Sequence, residues 1–255
     1  MSTRARSSSR TRTVTDEAVA RAKAETARIR GYFSRAAGSW GRWPVGRSYL
    51  ATERQDLMLR AIRTFVARDV VGMSVCDVGC GDGGDLSFWR DAGVPVGSLA
   101  GTEIVAENAR KAHSTVAGAD IRLVDSFELP FEDGRFLVTT ASLVLSTILD
   151  SSLRRKLFQE MVRVTAPEGV VLVYDFKVRK PGNRNVLALN RRRARLLGGG
   201  PPYAEWHAAP FLPALPAVLR LPPLVRRLGL RLLPRTHVLY AWPRSPGSIT
   251  RVDVP

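Results

Sequence analysis

A glycine-rich segment directly after a short apolar run restricts this 255-residue chain to few folds. The run at 74–78 contains Asp77, and Gly79, Gly81 and Gly83 follow it at alternate positions. A helix-like stretch comes next, so the pattern is typical of a strand, a tight turn and a helix N-terminus. Glycine accepts a positive φ and lets a ligand approach the backbone, and a helix N-terminus offers unpaired N–H groups. The segment therefore predicts a cradle for a nucleotide cofactor.

The acidic residue before the glycines distinguishes between two kinds of cofactor. Gly79, Gly81 and Gly84 also fit the dinucleotide pattern G-x-G-x-x-G. A pyrophosphate beside Asp77 would meet a like charge, whereas a cofactor that carries a sulfonium and an ammonium group would be attracted. The sequence favours the cationic cofactor. An NAD(P)-dependent oxidoreductase remains an alternative that requires Asp77 to be incidental.

At these residues the chain resembles the class I S-adenosylmethionine-dependent methyltransferases. Their first motif, acid-x-Gly-x-Gly-x-Gly, is matched by Asp77 and the three alternating glycines. Residues 128–136 and 163–175 resemble the link into the family's fourth strand and its fifth strand. Residues 174–186 resemble a bacterial subgroup that includes small-molecule and glycan-modifying enzymes. The resemblance implies S-adenosyl-L-methionine as cofactor and direct in-line methyl transfer to an oxygen or nitrogen atom.

Further cofactor-binding residues are predicted where strands end. Glu103 ends the second predicted strand, where a carboxylate can accept hydrogen bonds from a ribose diol. The resemblance places Asp125 and Ser126 at the corner that holds the adenine, and Ser142 beside the cofactor. The predicted cofactor-binding residues are Asp77, Gly79, Cys80, Gly81, Gly83, Glu103, Ile104, Asp125, Ser126, Phe127 and Ser142.

Strands and helices alternate from residue 73 onward, which implies parallel strands covered by helices. The predicted strands are 74–78, 98–103, 120–124, 136–141, 170–176, 203–209 and 236–242. Together with the resemblance, this pattern predicts an α/β fold: a doubly wound, mostly parallel seven-stranded sheet with an antiparallel last strand, helices on both faces and an N-terminal helical cap. A turn at 167–169 is expected before the fifth strand.

Composition and pattern divide the chain into five predicted parts. They are a disordered basic tail (1–13), the N-terminal helical cap (14–69), a cofactor-binding Rossmann-like half (70–176), a basic C-terminal part that completes the sheet and the acceptor side (177–242), and a tail (243–255). Helices are predicted at 14–29, at 50–68 and at 185–197, and short helices interrupted by prolines at 211–233.

The formal net charge of +16 is unevenly distributed. Residues 177–235 carry thirteen basic residues and one acidic residue. Such a region attracts acidic partners, which include an acidic acceptor bound by Arg191, Arg192 and Arg193, RNA, or an anionic membrane surface. A solvated arginine-rich face explains the same composition. The main hypothesis is a methyltransferase for a small-molecule, sugar or lipid-linked acceptor, and an RNA methyltransferase is the alternative.

No residue stands out as a general base, although Asp175 and Tyr49 could reach an acceptor. The segment after the fourth strand lacks the Asn/Asp-Pro-Pro-aromatic element and the Pro-Cys pair of base-modifying relatives. Cys76 and Cys80 alone do not make a zinc site, so no metal is expected. No apolar stretch reaches the about 18 residues of a membrane span. The sequence predicts a cytoplasmic enzyme and leaves peripheral attachment to a membrane open.

Overall fold

The computed structural model describes residues 4–36, 44–66, 68–179, 182–210, 217–218, 220–223, 225–226 and 232–245. The helices are α1 (Arg4–Ala36), α2 (Pro44–Phe65), α3 (Gly84–Asp91), α4 (Ala106–Thr115), α5 (Ser151–Val164) and α6 (Arg191–Gly198). The strands are β1 (Val75–Val78), β2 (Leu99–Glu103), β3 (Asp120–Leu123), β4 (Phe136–Ser142), β5 (Thr165–Phe176), β6 (Ala204–Pro210) and β7 (Arg235–Pro243).

The seven strands form one sheet in the order β3-β2-β1-β4-β5-β7-β6. The strands β1 to β5 run parallel, and β7 runs antiparallel to both β5 and β6. The predicted fold class is therefore confirmed. Because β1 lies between β2 and β4, the order of the strands reverses at β1. In open α/β sheets, ligands bind outside the carboxyl ends of the strands at such a reversal.

Helices cover both faces of the sheet. On one face Val75 of β1 packs in a core with α2, α3 and α4. On the other face Cys76, the next residue of β1, packs with α5, α6 and Ile29 of α1. Side chains of a strand alternate between faces, so each strand contributes to both cores. The sheet is thus fixed from both sides, and its carboxyl edge is held in one position.

The N-terminal helices are longer than predicted. The sequence predicts a disordered tail over 1–13, but α1 begins at Arg4. No glycine or proline occurs between Arg4 and Arg30, so nothing in that stretch stops the helix. The second helix begins at Pro44, a residue well suited to the first helical position, rather than at Leu50. The predicted loop at 38–46 lies mostly outside the described residues.

Two further predictions are wrong in detail. The expected turn at 167–169 lies inside β5, where the pairing with β4 shifts register between Phe136 and Val138. The expected helix at 185–197 begins only at Arg191, because Leu187 and Leu189 instead donate backbone hydrogen bonds to Ser146 and Phe176. The predicted short helices at 211–233 fall largely outside the described residues. The boundaries of the five predicted parts remain predictions.

Across the described residues, no helix has both the length and the apolar character needed to cross a membrane.

Candidate functional site

A cleft of about 540 Å³ lies at the carboxyl edge of the sheet, where the order of the strands reverses. Its walls are the β1–α3 turn, the ends of β2 and β4, the segment after β3, and side chains of α1 and α2. Nine of the predicted cofactor residues line it: Asp77, Gly79, Cys80, Gly81, Glu103, Ile104, Ser126, Phe127 and Ser142. The sheet thus brings together residues that are up to 65 positions apart in the sequence.

The β1–α3 turn needs its glycines for two different reasons. Gly79, Gly81 and Gly83 all have a positive φ, which side chains with a Cβ rarely adopt. A Cβ on Gly79 would lie 2.6 Å from Cγ2 of Val144, so this glycine allows close packing at the cleft. A Cβ on Gly83 would lie 3.1 Å from Cα of Ala112. Gly83 therefore holds α3 against α4 and is not among the residues that line the cleft.

Replacing Gly79 by alanine is expected to reduce the free energy of unfolding more than replacing Gly81 by alanine. Both variants carry the cost of a positive φ, about 1–2 kcal/mol. Only Gly79→Ala adds a clash with Val144, since nothing lies within 4 Å of a Cβ on Gly81. We expect an extra loss of about 1–3 kcal/mol in urea unfolding. Equal losses in the two variants would show that the contact with Val144 does not matter.

Glu103 is anchored by the backbone on both sides of the cleft. Its Oε2 atom accepts a hydrogen bond from the amide of Gly81 at 2.8 Å. Its Oε1 atom accepts from the amides of Ile104 and Val105, both at 2.8 Å. Burial raises the pKa of Glu103, and these amide hydrogen bonds oppose that rise. Because a carboxylate has about four acceptor positions, the oriented group keeps one on Oε2 for a ligand hydroxyl.

Asp77 is a buried carboxyl group beside a second acid. Its side chain is 2% exposed, and its Oδ1 atom accepts a hydrogen bond from the hydroxyl of Thr140 at 2.7 Å. Burial and then repulsion by Asp85 raise the pKa of Asp77 to about 8. Burial therefore favours the protonated form of Asp77, and a cation that enters the cleft would favour the ionised form.

An ion pair between the cap and the β1–α3 turn was not predicted from the sequence. Nη2 of Arg54 in α2 donates to Oδ1 of Asp85 in α3 at 2.5 Å. The hydroxyl of Ser142 donates to the other oxygen of Asp85 at 2.9 Å. Arg54 is one of many arginines in the N-terminal part of the chain, so its sequence position gives no signal for this role.

Helix α1 forms the outer wall of the cleft through residues that the sequence did not single out. Arg30 donates to the carbonyl oxygens of Ile104 at 2.7 Å and Val124 at 3.0 Å. The hydroxyl of Thr26 donates to the carbonyl of Asp125 at 3.4 Å. One helix therefore fixes the segments that follow β2 and β3. Ile29 and Phe33 of the same helix add apolar side chains to the lining.

Besides Gly83, the structure separates three predicted residues from the cleft. Asp125 is exposed and does not line it, although its neighbour Ser126 does. Asp175 is fully buried, and its carboxylate accepts from the backbone amides of Ser146 and Phe176, both at 2.8 Å. Burial raises the pKa of Asp175 to about 6. Tyr49 does not line the cleft either, and burial followed by the charge of Glu53 raises its pKa. The geometry gives Asp175 a structural role.

The arginine cluster of α6 also lies outside the cleft. The guanidinium of Arg191 is 3.8 Å from Glu205 and its side chain is 74% exposed. The guanidinium of Arg193 donates to the carbonyl of Ala188 at 2.9 Å. Arg192 is exposed. The expectation that these three residues hold an acceptor beside the cofactor is therefore not supported by their position.

Neither cysteine forms a disulfide, and both are buried. Within the described part of the chain, no group of three or more His, Cys, Asp or Glu side chains is placed to hold a metal ion.

Comparison with known proteins finds a family whose sequence model part of the chain matches. Residues 76–173, less than half of the chain, match the sequence model of a family described as a methyltransferase domain. Over 114 residues the chain is 33% identical to demethylmenaquinone methyltransferase of Paenarthrobacter aurescens (strain TC1). That match covers 43% of this chain and 42% of the relative. The chain thus spans about two-fifths of the length of this curated relative.

Solved structures share the fold at low sequence identity. The PH0226 protein of Pyrococcus horikoshii OT3 has a TM-score of 0.52 and 16% identity, over 74% of this chain and 89% of that one. Geranyl diphosphate C-methyltransferase of Streptomyces coelicolor A3(2), solved with Mg²⁺, geranyl diphosphate and S-adenosyl-L-homocysteine, has a TM-score of 0.53 and 15% identity, over 74% and 79% of the two chains. At these identities the likeness shows a common fold.

Proposed function

We propose that the methyltransferase domain at residues 76–173 makes this chain an S-adenosylmethionine-dependent methyltransferase. The observation that carries the proposal is the set of three acidic side chains in the cleft. The buried carboxyl groups of Asp77, Asp85 and Glu103 line it together, and Arg54, whose side chain is 16% exposed, lies beside them. Such a site suits a cofactor with a sulfonium and an ammonium group. A dinucleotide pyrophosphate would meet Asp77 and Asp85, which disfavours the oxidoreductase alternative.

The lining residues fit the separate parts of this cofactor. Glu103 offers an oriented carboxylate oxygen for a ribose hydroxyl. Ile104 and Phe127 offer apolar surface and Ser126 a hydroxyl for the adenine side of the cleft. When bound, the cofactor supplies a methyl group made reactive by its cationic sulfur. The chain's own residues bind it, orient it and exclude water, and α1 adds the apolar side chains of Ile29 and Phe33 to the wall.

We propose a small organic acceptor with an apolar body. Beyond the cofactor residues, polar and apolar side chains both line the cleft, and the apolar ones are Ile29, Phe33, Val78, Val124, Leu129, Leu143, Val144, Ile148 and Leu157. The names of the relatives agree with this chemistry, because demethylmenaquinone and geranyl diphosphate are small molecules with long apolar parts. Sugar and lipid-linked acceptors remain within the proposal.

Calorimetric titration tests the proposed cofactor. We expect S-adenosyl-L-homocysteine to bind at one site per chain, and NADH and NADPH to give no heat of binding. The variant Glu107→Gln serves as a control because Glu107 is exposed and pairs with Lys111 on the surface of α4. It should bind like the natural chain. Binding of NADH without binding of S-adenosyl-L-homocysteine would overturn the proposal and restore the oxidoreductase.

A further inference from the structure

Two positively charged side chains line the described cleft, and Arg54 is much less exposed than the other, Lys111. The side chain of Arg54 is 16% exposed, whereas the side chain of Lys111 is 58% exposed and bound to Glu107. Arg54 comes from α2, yet its guanidinium lies beside the β1–α3 turn through its bond to Asp85. A buried guanidinium is costly unless its charge and its N–H groups are matched by acceptors.

The hydrogen bonding of Arg54 is incomplete in a way that points to a ligand. Nη2 of Arg54 donates to Asp85, but its Nε atom is buried and has no hydrogen-bond partner among the described residues. On the other side of the pair, Asp85 and Asp77 are two buried acids near one cation. The site therefore has an unused donor and a surplus of acidic groups. A ligand group that carries both a hydrogen-bond acceptor and a positive charge would pair with the unused donor and with the acidic groups.

We propose that Arg54 binds the carboxylate of the cofactor's amino-acid end while Asp85 and Asp77 face its ammonium group. This inference rests on the proposed function. An α-amino acid is a zwitterion, so it can enter between the partners of an existing ion pair and leave every charge matched. The carboxylate supplies the acceptor that Nε of Arg54 lacks. In the absence of the cofactor, Arg54 and Asp85 pair directly with each other.

The same residue would make the cap part of the cofactor site. Arg54 is carried by α2, whose apolar residues pack on the sheet through Met58, Ala61 and Ile62. A carboxylate bound to Arg54 would connect α2 to the β1–α3 turn through the ligand. Arg54 is thus assigned as a cofactor-binding residue outside residues 76–173, the segment that matches the methyltransferase domain.

The test compares two ligands that differ only in the carboxylate. S-adenosylmethionine and decarboxylated S-adenosylmethionine are titrated by calorimetry into the natural chain, Arg54→Met and Arg60→Met. We expect the natural chain to prefer S-adenosylmethionine by about 10- to 150-fold, the range for a charge-assisted hydrogen bond of about 1.5–3 kcal/mol. Arg54→Met should lose this preference and bind the decarboxylated ligand about as well as the natural chain does. Arg60→Met should keep it, because Arg60 is 63% exposed on the same helix.

The outcomes separate the inference from the proposed function. If the natural chain binds both ligands equally well, or if Arg54→Met keeps the preference, Arg54 does not bind the carboxylate and the proposed function stands. If neither ligand binds the natural chain, the proposed function itself is wrong. Should Arg54→Met not fold because Asp85 is left buried without its partner, the double variant R54M/D85N removes both charges. It should likewise show no preference, since Asp85 is assigned to the ammonium that both ligands share.

Discussion

Replacing Glu103 by glutamine is expected to weaken the binding of S-adenosyl-L-homocysteine by about 10- to 150-fold. The natural carboxylate is held by the amides of Gly81, Ile104 and Val105 and keeps one acceptor position open. Glutamine replaces one oxygen with an NH₂ group, which must face one of these amides or the ligand hydroxyl. The range corresponds to the loss of one charge-assisted hydrogen bond, about 1.5–3 kcal/mol. Calorimetry measures the change in dissociation constant.

Two controls keep the interpretation of Glu103→Gln specific. Glu107→Gln removes the same charge from the next helix at an exposed position and should leave the affinity unchanged. A circular dichroism spectrum like that of the natural chain would show that the glutamine variant is folded. Affinity within threefold of the natural value in a folded Glu103→Gln variant would contradict the assignment of Glu103 to the ribose.

Replacing Asp77 by asparagine is expected to weaken cofactor binding and to stabilise the free protein. The carboxylate would no longer face the positive groups of S-adenosylmethionine, so we expect affinity at pH 7.5 to fall by at least about tenfold. The buried acid beside Asp85 is unfavourable in the free protein once it ionises. At pH 8 the variant's Tm should be at least about 3 °C higher, the shift that about 1 kcal/mol produces in a protein of this size.

The sign of the pH dependence follows from the pKa of Asp77. Its pKa is raised from 3.8 to about 8 in the folded protein, so the folded state binds this proton more tightly than the unfolded state. The resulting stability is fully present below about pH 4 and is lost as the pH rises to about 8. The gain in Tm of Asp77→Asn over the natural chain should therefore grow from pH 5 to pH 8. Scanning calorimetry at several pH values measures it.

The affinity for the cofactor should depend on the ionisation of the same group, Asp77. Because Asp77 must ionise to face a cation, the natural chain's affinity for S-adenosylmethionine should rise between pH 6 and pH 7.5, by up to about tenfold per pH unit. Asp77→Asn should show a flatter profile. The variant Asp91→Asn removes an exposed acid at the end of α3 and should behave like the natural chain in both experiments. A natural chain and an Asp77→Asn variant with the same pH profile would contradict the assigned role.

The parts of the fold that the sequence predicted are those set by local patterns. Runs of five to seven residues bounded by turn residues marked the strands, and their alternation with helices marked a parallel sheet. The glycines after β1 marked the cofactor turn, because positive φ and close packing are local needs. Most of the predicted cofactor residues line the cleft for this reason, since they lie at strand ends whose common edge follows from the fold.

The parts that were missed depend on contacts between distant segments. Arg54 reaches Asp85 across 31 positions, and Arg30 reaches Val124 across 94. Nothing in a helix that contains several arginines indicates which of them turns toward a neighbour. Their positions follow from how α1 and α2 pack across the sheet edge, which only the tertiary structure defines.

The error over Asp175 has a related cause. Tyr174 packs in the core shared with α2 and α3, whereas Val173 packs in the core shared with α5. Asp175 follows Tyr174 and therefore points to the face of α5, where its carboxylate accepts from the amides of Ser146 and Phe176 and does not line the cleft. A strand buried on both faces is apolar throughout, so its sequence carries no alternation from which to assign the faces.

The most direct test of the central claim is the transfer of label from methyl-labelled S-adenosylmethionine. The protein is incubated with the labelled cofactor and a cell extract that has been freed of nucleic acid and passed through a size filter, with Glu103→Gln as the matched blank. We predict label in an organic-extractable small-molecule product that depends on the natural protein and is strongly reduced with the variant. The absence of any protein-dependent label, in a protein that also fails to bind S-adenosyl-L-homocysteine, would contradict the claim that this chain is a methyltransferase.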